Sequence, residues 1–167
     1  RHTGIVLVEL GVWRGDTLRR IAAAAEGHEV YGFDSFFGLP GDFAGGQFRR
    51  GAFSTKGTVP PRLPINVEVR QGWFNDTVAR FTHEMLAGGT RVSFVHVDCD
   101  LYASAKEALS LLVPVLASHA VLQFDQFTGY PEWRNGEARA WWEVSEALGV
   151  EFEYVWYEGM RVTVQLK

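Results

Sequence analysis

Asp98 and Asp100, one residue apart, close an apolar, β-branched run that begins at Val92, and Asp125 closes a second apolar run, Ala120–Phe124. A buried strand that stops on a carboxylate points it into the crevice at the carboxyl edge of a sheet, where ligands bind in open α/β folds. Carboxylates gathered there could surround one hard cation. Magnesium takes oxygen ligands in an octahedron and keeps several waters. Such a cation lowers the pKa of a coordinated hydroxyl and orients it, and Asp100 could then take the proton. The plainer reading of Asp98 and Asp100 is a helix N-cap with a solvated neighbour, and Asp125, ending the next strand, weighs against it. Cys99 reads as a packing residue. His96 either orients a carboxylate or is a hydrogen-bonded core histidine, and His83 and His119 read as surface and turn residues.

A second group of residues has the order of a nucleoside site. Ile5–Leu10 runs into Glu9-Leu10-Gly11-Val12-Trp13-Arg14-Gly15, where Gly11 and Gly15 allow a sharp turn and a close approach to the backbone. A dinucleotide site would show G-x-G-x-x-G aimed at a pyrophosphate. Here an acid, Glu9, precedes G-x-x-x-G, and an anion repels pyrophosphate. It attracts a cationic cofactor such as S-adenosylmethionine, which carries a sulfonium, an ammonium and no phosphate. Asp34 ends the next apolar run, Val30–Phe33, in position to accept from both ribose hydroxyls. Gly72-Trp73-Phe74 follows Val67–Arg70 and offers a flat apolar surface for adenine. Singly these are a turn, a cap and a core tryptophan. Their order, one after each successive strand, points to a nucleoside.

The elements that must position these residues alternate. Between the runs lie helical patterns at Asp16–Ala25, stopped by Gly27, at Thr77–Leu86, stopped by Gly88-Gly89, near Ala103–Leu116, and at Glu137–Leu148. The chain closes with Phe152–Tyr157, a turn at Glu158-Gly159, and Arg161–Leu166, whose residues alternate. Strand–helix alternation implies a doubly wound parallel sheet. The closing hairpin suits the methyltransferase variant: a Rossmann-like α/β fold with a mostly parallel seven-stranded sheet and a C-terminal antiparallel hairpin. From Gly38 to Pro64 the pattern dissolves into glycine and proline, a functional or mobile loop or a disordered excursion. Tyr130, Trp133, Trp141 and Trp142 could wall an acceptor pocket, although helical spacing puts Trp141 or Trp142 in the core.

The 167 residues suit a single domain spanning the whole chain. A net charge of −4 with no basic run argues against nucleic acid. No apolar stretch approaches the ~20 residues of a membrane span. One cysteine excludes an internal disulfide and fits a reducing, cytoplasmic setting. Arg1 stands almost directly before the first strand, so the natural protein is expected to begin earlier.

VELGVWRG, YGFDSFFGLP, GWFNDT, FVHVDCDLYAS and FDQFTGYPEWRNGEARAWWE, between about Val8 and Trp142, resemble the macrocin O-methyltransferase family. These class I enzymes methylate hydroxyls of sugars in natural products. The resemblance implies S-adenosylmethionine held by Glu9, Gly11, Trp13, Gly15, Thr17, Asp34, Ser35, Gly72, Trp73, Phe74 and Asp98. It implies magnesium on Asp98, Asp125 and Gln126, with Asp100 as catalytic base. The acceptor would be a small hydroxylated molecule, a homo-oligomer is compatible, and N-terminal elements that cover the site in relatives would precede this chain. Three departures stand out. Gln126 replaces an acid, so the metal site is expected to be weak. Ala105 stands where Ser or Thr is common. Thr55–Pro64 leaves little room for a helix between the second and third strands. Two rival readings remain: a nucleotide-sugar glycosyltransferase whose D-x-D holds a metal against a diphosphate, and a cofactor-binding module that has lost catalysis.

Overall fold

The computed structural model describes residues 4–25 and 27–167. The apolar runs become β1 (Ile5–Leu10), β2 (Glu29–Asp34), β3 (Val67–Gln71), β4 (Arg91–Val97) and β5 (Leu116–Phe124). Helices α1 (Asp16–Ala24), α2 (Phe74–Gly88), α3 (Tyr102–Leu112) and α4 (Glu137–Ala147) alternate with them, and β6 (Phe152–Glu158) and β7 (Arg161–Leu166) close the chain. All seven strands form one sheet in the order β3-β2-β1-β4-β5-β7-β6. Strands β1 to β5 are parallel, and β7 pairs antiparallel with both β5 and β6. The order reverses between β1 and β4, which opens a crevice at their carboxyl ends. This is the expected α/β methyltransferase fold.

Alternate strand residues bury toward different helices. Val6, Val8 and Leu10 of β1, with Val95, Val97, Leu122 and Phe124, share a core with residues of α2, α3 and α4. Leu18 and Ala22 of α1 pack with Val12, Val30 and Phe36 in a second cluster. Trp141 is fully buried between Phe124 and Phe152, at ring-centroid distances of 5.9 and 5.2 Å. Trp142 is 37% exposed, and its indole N–H donates to the Tyr154 hydroxyl at 2.9 Å. Trp141 is therefore the core member of the pair.

Three boundaries differ from the sequence pattern. Helix α3 stops at Leu112 and gives way to a 3₁₀ turn, Val113–Val115, before β5 begins at Leu116. Pro114 sits in that turn, where its missing N–H is tolerated, whereas a helix interior would not accept it. Helix α2 begins at Phe74, three residues early, because Trp73 is extended and its carbonyl accepts from the Thr77 amide at 3.0 Å. The hairpin turn lies at Gly159-Met160 rather than Glu158-Gly159, with Gly159 at φ 59°.

The crevice is tight where β1 leaves the sheet. The Gly11 amide donates to Phe33 O at 2.9 Å, and its φ is 92°. A Cβ at Gly11 would lie 1.8 Å from the carbonyl oxygen of Asp98. Gly11→Ala should cost about 1–3 kcal/mol or more, since both the backbone conformation and the space are wrong. A lowered urea midpoint measures it, and an unchanged midpoint would contradict this packing.

Residues 35–66 form neither helix nor strand, but they are stitched onto the carboxyl edge. The Leu39 amide donates to Ala52 O at 3.0 Å, and the amides of Thr55 and Gly57 both donate to Phe36 O, at 3.1 and 2.9 Å. The Asp42 carboxylate accepts from the Arg50 amide at 2.8 Å. Among the described residues no helix is long and apolar enough to cross a membrane.

Candidate active site

The crevice holds a cavity of about 620 Å³. Its nucleoside end is lined by Gly11, Trp13, Asp34, Ser35, Gly72, Trp73 and Phe74, all read from the sequence, and by Asn75, which was not. Asp34 does more than face a ligand. Its Oδ2 accepts from the amides of Val12 and Trp13 at 2.9 and 2.8 Å, and its Oδ1 accepts from Phe36 N at 2.7 Å. It thus fixes the β1–α1 turn and the start of the long loop. A carboxylate offers about four lone-pair sites, so acceptor capacity remains for ribose hydroxyls.

Three predicted cofactor residues stand back from the cavity. Gly15 is the left-handed cap of α1, at φ 76°, and packs beside Pro60. Thr17 lies half-buried on α1 and does not line the cavity. Glu9 is 1% exposed, and its Oε1 shares a 3.1 Å hydrogen bond with His96 Nδ1. Burial pushes the Glu9 carboxyl up, and His96 pulls it part of the way back. The His96 pKa is raised: burial alone would lower it, but the bond and charge of Glu9 prevail. His96 is therefore a paired core residue, and any effect of Glu9 on a ligand acts through the turn above it.

At the other end Asp98, Asp100, Asp125 and Gln126 all line the cavity. Neither Asp98 nor Asp100 caps α3, whose N-cap is Leu101 with no side-chain hydrogen bond. Burial, then the charge of Asp125, pushes Asp98 up to about 7. Asp100 is 7% exposed and is also pushed up to about 7, by burial and then by Asp125 and Asp34. Its φ of 62° is left-handed, a region aspartate enters more readily than most residues. Cys99 is buried and its thiol is pushed well up by burial, which leaves it unreactive.

Glu137, read from the sequence only as the start of a helix, holds these ends together. It is completely buried in the first turn of α4. Its Oε1 accepts from the amides of Cys99 and Asp100, both at 3.2 Å, and its Oε2 accepts from Gln126 N at 3.3 Å. One carboxylate thus ties the loop after β4 to the loop after β5. An acid opening a helix ordinarily signals only the helix dipole, so the sequence hides this role.

The donor set does not fit a divalent cation. Asp125 Oδ1 accepts from Arg161 Nε at 2.8 Å, and its Oδ2 accepts from Gln126 Nε2 at 3.3 Å. Gln126 leaves its buried Oε1 without a partner, but that neutral carbonyl brings no charge to attract a dication. Among the described residues no group of three His, Cys, Asp or Glu side chains could hold a metal ion.

The remaining wall is apolar and comes from the loop, through Leu39, Pro40, Phe48 and Phe53, with Ser104 and Glu107 of α3 opposite. Phe53 packs edge-on to Trp13 and Phe48, at 5.4 and 4.7 Å. Tyr130, Trp133, Trp141 and Trp142 do not line the cavity, and Tyr130 instead packs on Phe43 at 5.0 Å, which in turn packs on the lining Phe48 at 5.7 Å.

A family described as "Methyltransferase domain" matches residues 8–127. The chain belongs to this methyltransferase family. The match takes in the nucleoside end, Asp98, Asp100, Asp125 and Gln126, and stops before Glu137 and Arg161. No curated protein matches by sequence. Solved methyltransferases share the fold. The calicheamicin methyltransferase CalS11 superposes with a TM-score of 0.74 at 20% identity, over 98% of this chain and 72% of that one. The O-methyltransferase NovP gives 0.71 at 23% identity, over 96% and 71%. MycE from the mycinamycin pathway, in complex with Mg and SAH, gives 0.61 at 15% identity, over 99% and 46%.

Proposed function

We propose that this methyltransferase domain moves a methyl group from S-adenosylmethionine to a hydroxyl of a sugar or other small natural-product acceptor, as its macrocin-type motifs imply. The observation that carries the reading is one cavity running from Asp34 and Trp73 to Asp100. In that cavity the sulfonium's methyl carbon would face the acceptor oxygen. The C–S bond breaks as the O–C bond forms in line, which needs an approach of roughly 3–3.5 Å. The hydroxyl proton passes to Asp100, whose pKa near 7 suits a base working at neutral pH. The donor set does not fit magnesium, so activation of the hydroxyl rests on Asp100. Five lining carboxylates, Asp34, Asp98, Asp100, Glu107 and Asp125, with no lining Lys, Arg or His among the described residues, disfavour the diphosphate of a glycosyltransferase substrate. Calorimetric titration of S-adenosylhomocysteine tests the reading. The parent should bind, and Asp34→Ala should lose roughly 1.5–3 kcal/mol, the worth of hydrogen bonds to a charged group. No binding by the parent at millimolar ligand would sink the proposal.

A further inference from the structure

We infer that the Arg161 guanidinium, which does not itself line the cavity, supplies to Asp125 the positive charge a divalent cation would bring, so that methyl transfer here proceeds without metal; the inference rests on the function proposed above. Arg161 opens β7, and the pairing of Phe124 with Val162 places it beside Asp125 at the end of β5. With Arg161 on one oxygen of Asp125 and the Gln126 amide on the other, both oxygens are engaged by this chain's own donors. A hard dication needs anionic oxygens freed for it. Here one candidate ligand is neutral, and the lone pairs left on Asp125 lie beside the positive charge of Arg161, which repels a dication. A guanidinium is permanently charged and fits a carboxylate as a planar fork of donors. The hydrogen bond and then the charge of Asp125 raise the Arg161 pKa, with smaller contributions from Glu158 and Asp98.

The consequence for the acceptor is specific. A metal would chelate neighbouring hydroxyls, whereas a guanidinium held on Asp125 offers no open coordination positions. Activation of the acceptor then falls on Asp100, and an isolated hydroxyl serves as well as a vicinal pair.

The test titrates Mn²⁺ alone into the full chain, followed by calorimetry and by loss of the free-ion EPR signal. The parent should show no binding at millimolar Mn²⁺. Arg161→Ala combined with Gln126→Asp should create a site at least roughly 10–100-fold tighter, the range over which even indirect partners tune metal affinity. Gln126→Asp alone should gain less, because Arg161 still occupies Asp125. The Arg161 side chain is 54% exposed, so its truncation leaves the core intact. Micromolar Mn²⁺ binding by the parent, or a double variant that binds no better than the parent, would overturn the inference. S-adenosylhomocysteine titrated into the same samples reports separately on the cofactor site, so failure of the proposed function shows there and not in the metal readout.

Discussion

Asp100→Asn should lose nearly all turnover and, above neutral pH, make the fold more stable. The first effect follows from removing the base, with an expected fall of ~10²–10⁴-fold. Asparagine is close in shape and tolerates the left-handed φ of 62°, so affinity for S-adenosylhomocysteine should stay near the parent's. The second effect follows from linkage. Folding raises Asp100 from 3.8 to about 7, so the folded chain holds this proton more tightly than the unfolded chain does. Stability therefore falls as pH rises between those values, and the full cost is present above the higher one. The neutral amide removes that cost. At about 1.4 kcal/mol per pKa unit, and with Asp98 and Asp125 relaxing alongside, the gain should be about 1–3 kcal/mol. It should shrink as pH drops below about 7. Urea unfolding at several pH values reads it. Undiminished turnover would remove Asp100 from the chemistry, and a lower midpoint above neutrality would show that its burial carries no such cost.

Glu137→Ala should be the most damaging change near the cavity for stability. It strands the amides of Cys99, Asp100 and Gln126, each now satisfied by this one carboxylate. A buried donor left without a partner costs about 1–3 kcal/mol, so three would sum to about 3–9 kcal/mol; relief of the desolvation that pushes the buried Glu137 carboxyl up offsets part of this and leaves roughly 3–5 kcal/mol. Glu137→Gln separates architecture from chemistry. It keeps one acceptor oxygen for Cys99 and Asp100 but turns an amide NH2 donor toward the Gln126 N–H donor. The chain should fold and bind S-adenosylhomocysteine, while turnover falls because the loop after β5 is no longer tied to the loop that carries Asp100. An alanine variant within about 1 kcal/mol of the parent would show that the amides find other acceptors.

The sheet was legible because β1, β2, β4 and β5 carry buried apolar runs that end on glycine or an acid, while β3, with no buried residue, showed only through Val67 and Val69. The strand-end residues Asp34, Asp98 and Asp125 were legible for the same reason, since position at a carboxyl edge follows from the strand itself. Residues that act across long separations were hidden. Arg161 reaches Asp125 over 36 positions, and in an alternating strand it reads as one more solvent-facing residue. Glu137 resembles an ordinary dipole partner. Phe48 and Phe53 sit among glycines, where no period says which way a ring points. Pro114 was the opposite case. The apolar residues around it continued a helical pattern that its missing N–H forbids. Glu9 shows the limit of reading charge alone: its acid character suggested a cofactor partner, while its partner in the fold is His96.

The long loop separates two jobs that most clefts mix. The groups proposed to position cofactor and base sit at or just beyond strand ends, while Phe48 and Phe53 belong to a segment held by its own turns and by packing of Phe43 on Tyr130 and Leu101 and of Phe53 on Trp13. Replacing the stretch between Leu39 and Phe53 changes the shape offered to an acceptor without altering a single strand pairing. The molecule is thus divided into a reusable engine and an exchangeable mould, and new acceptor preferences can arise by rewriting the mould alone.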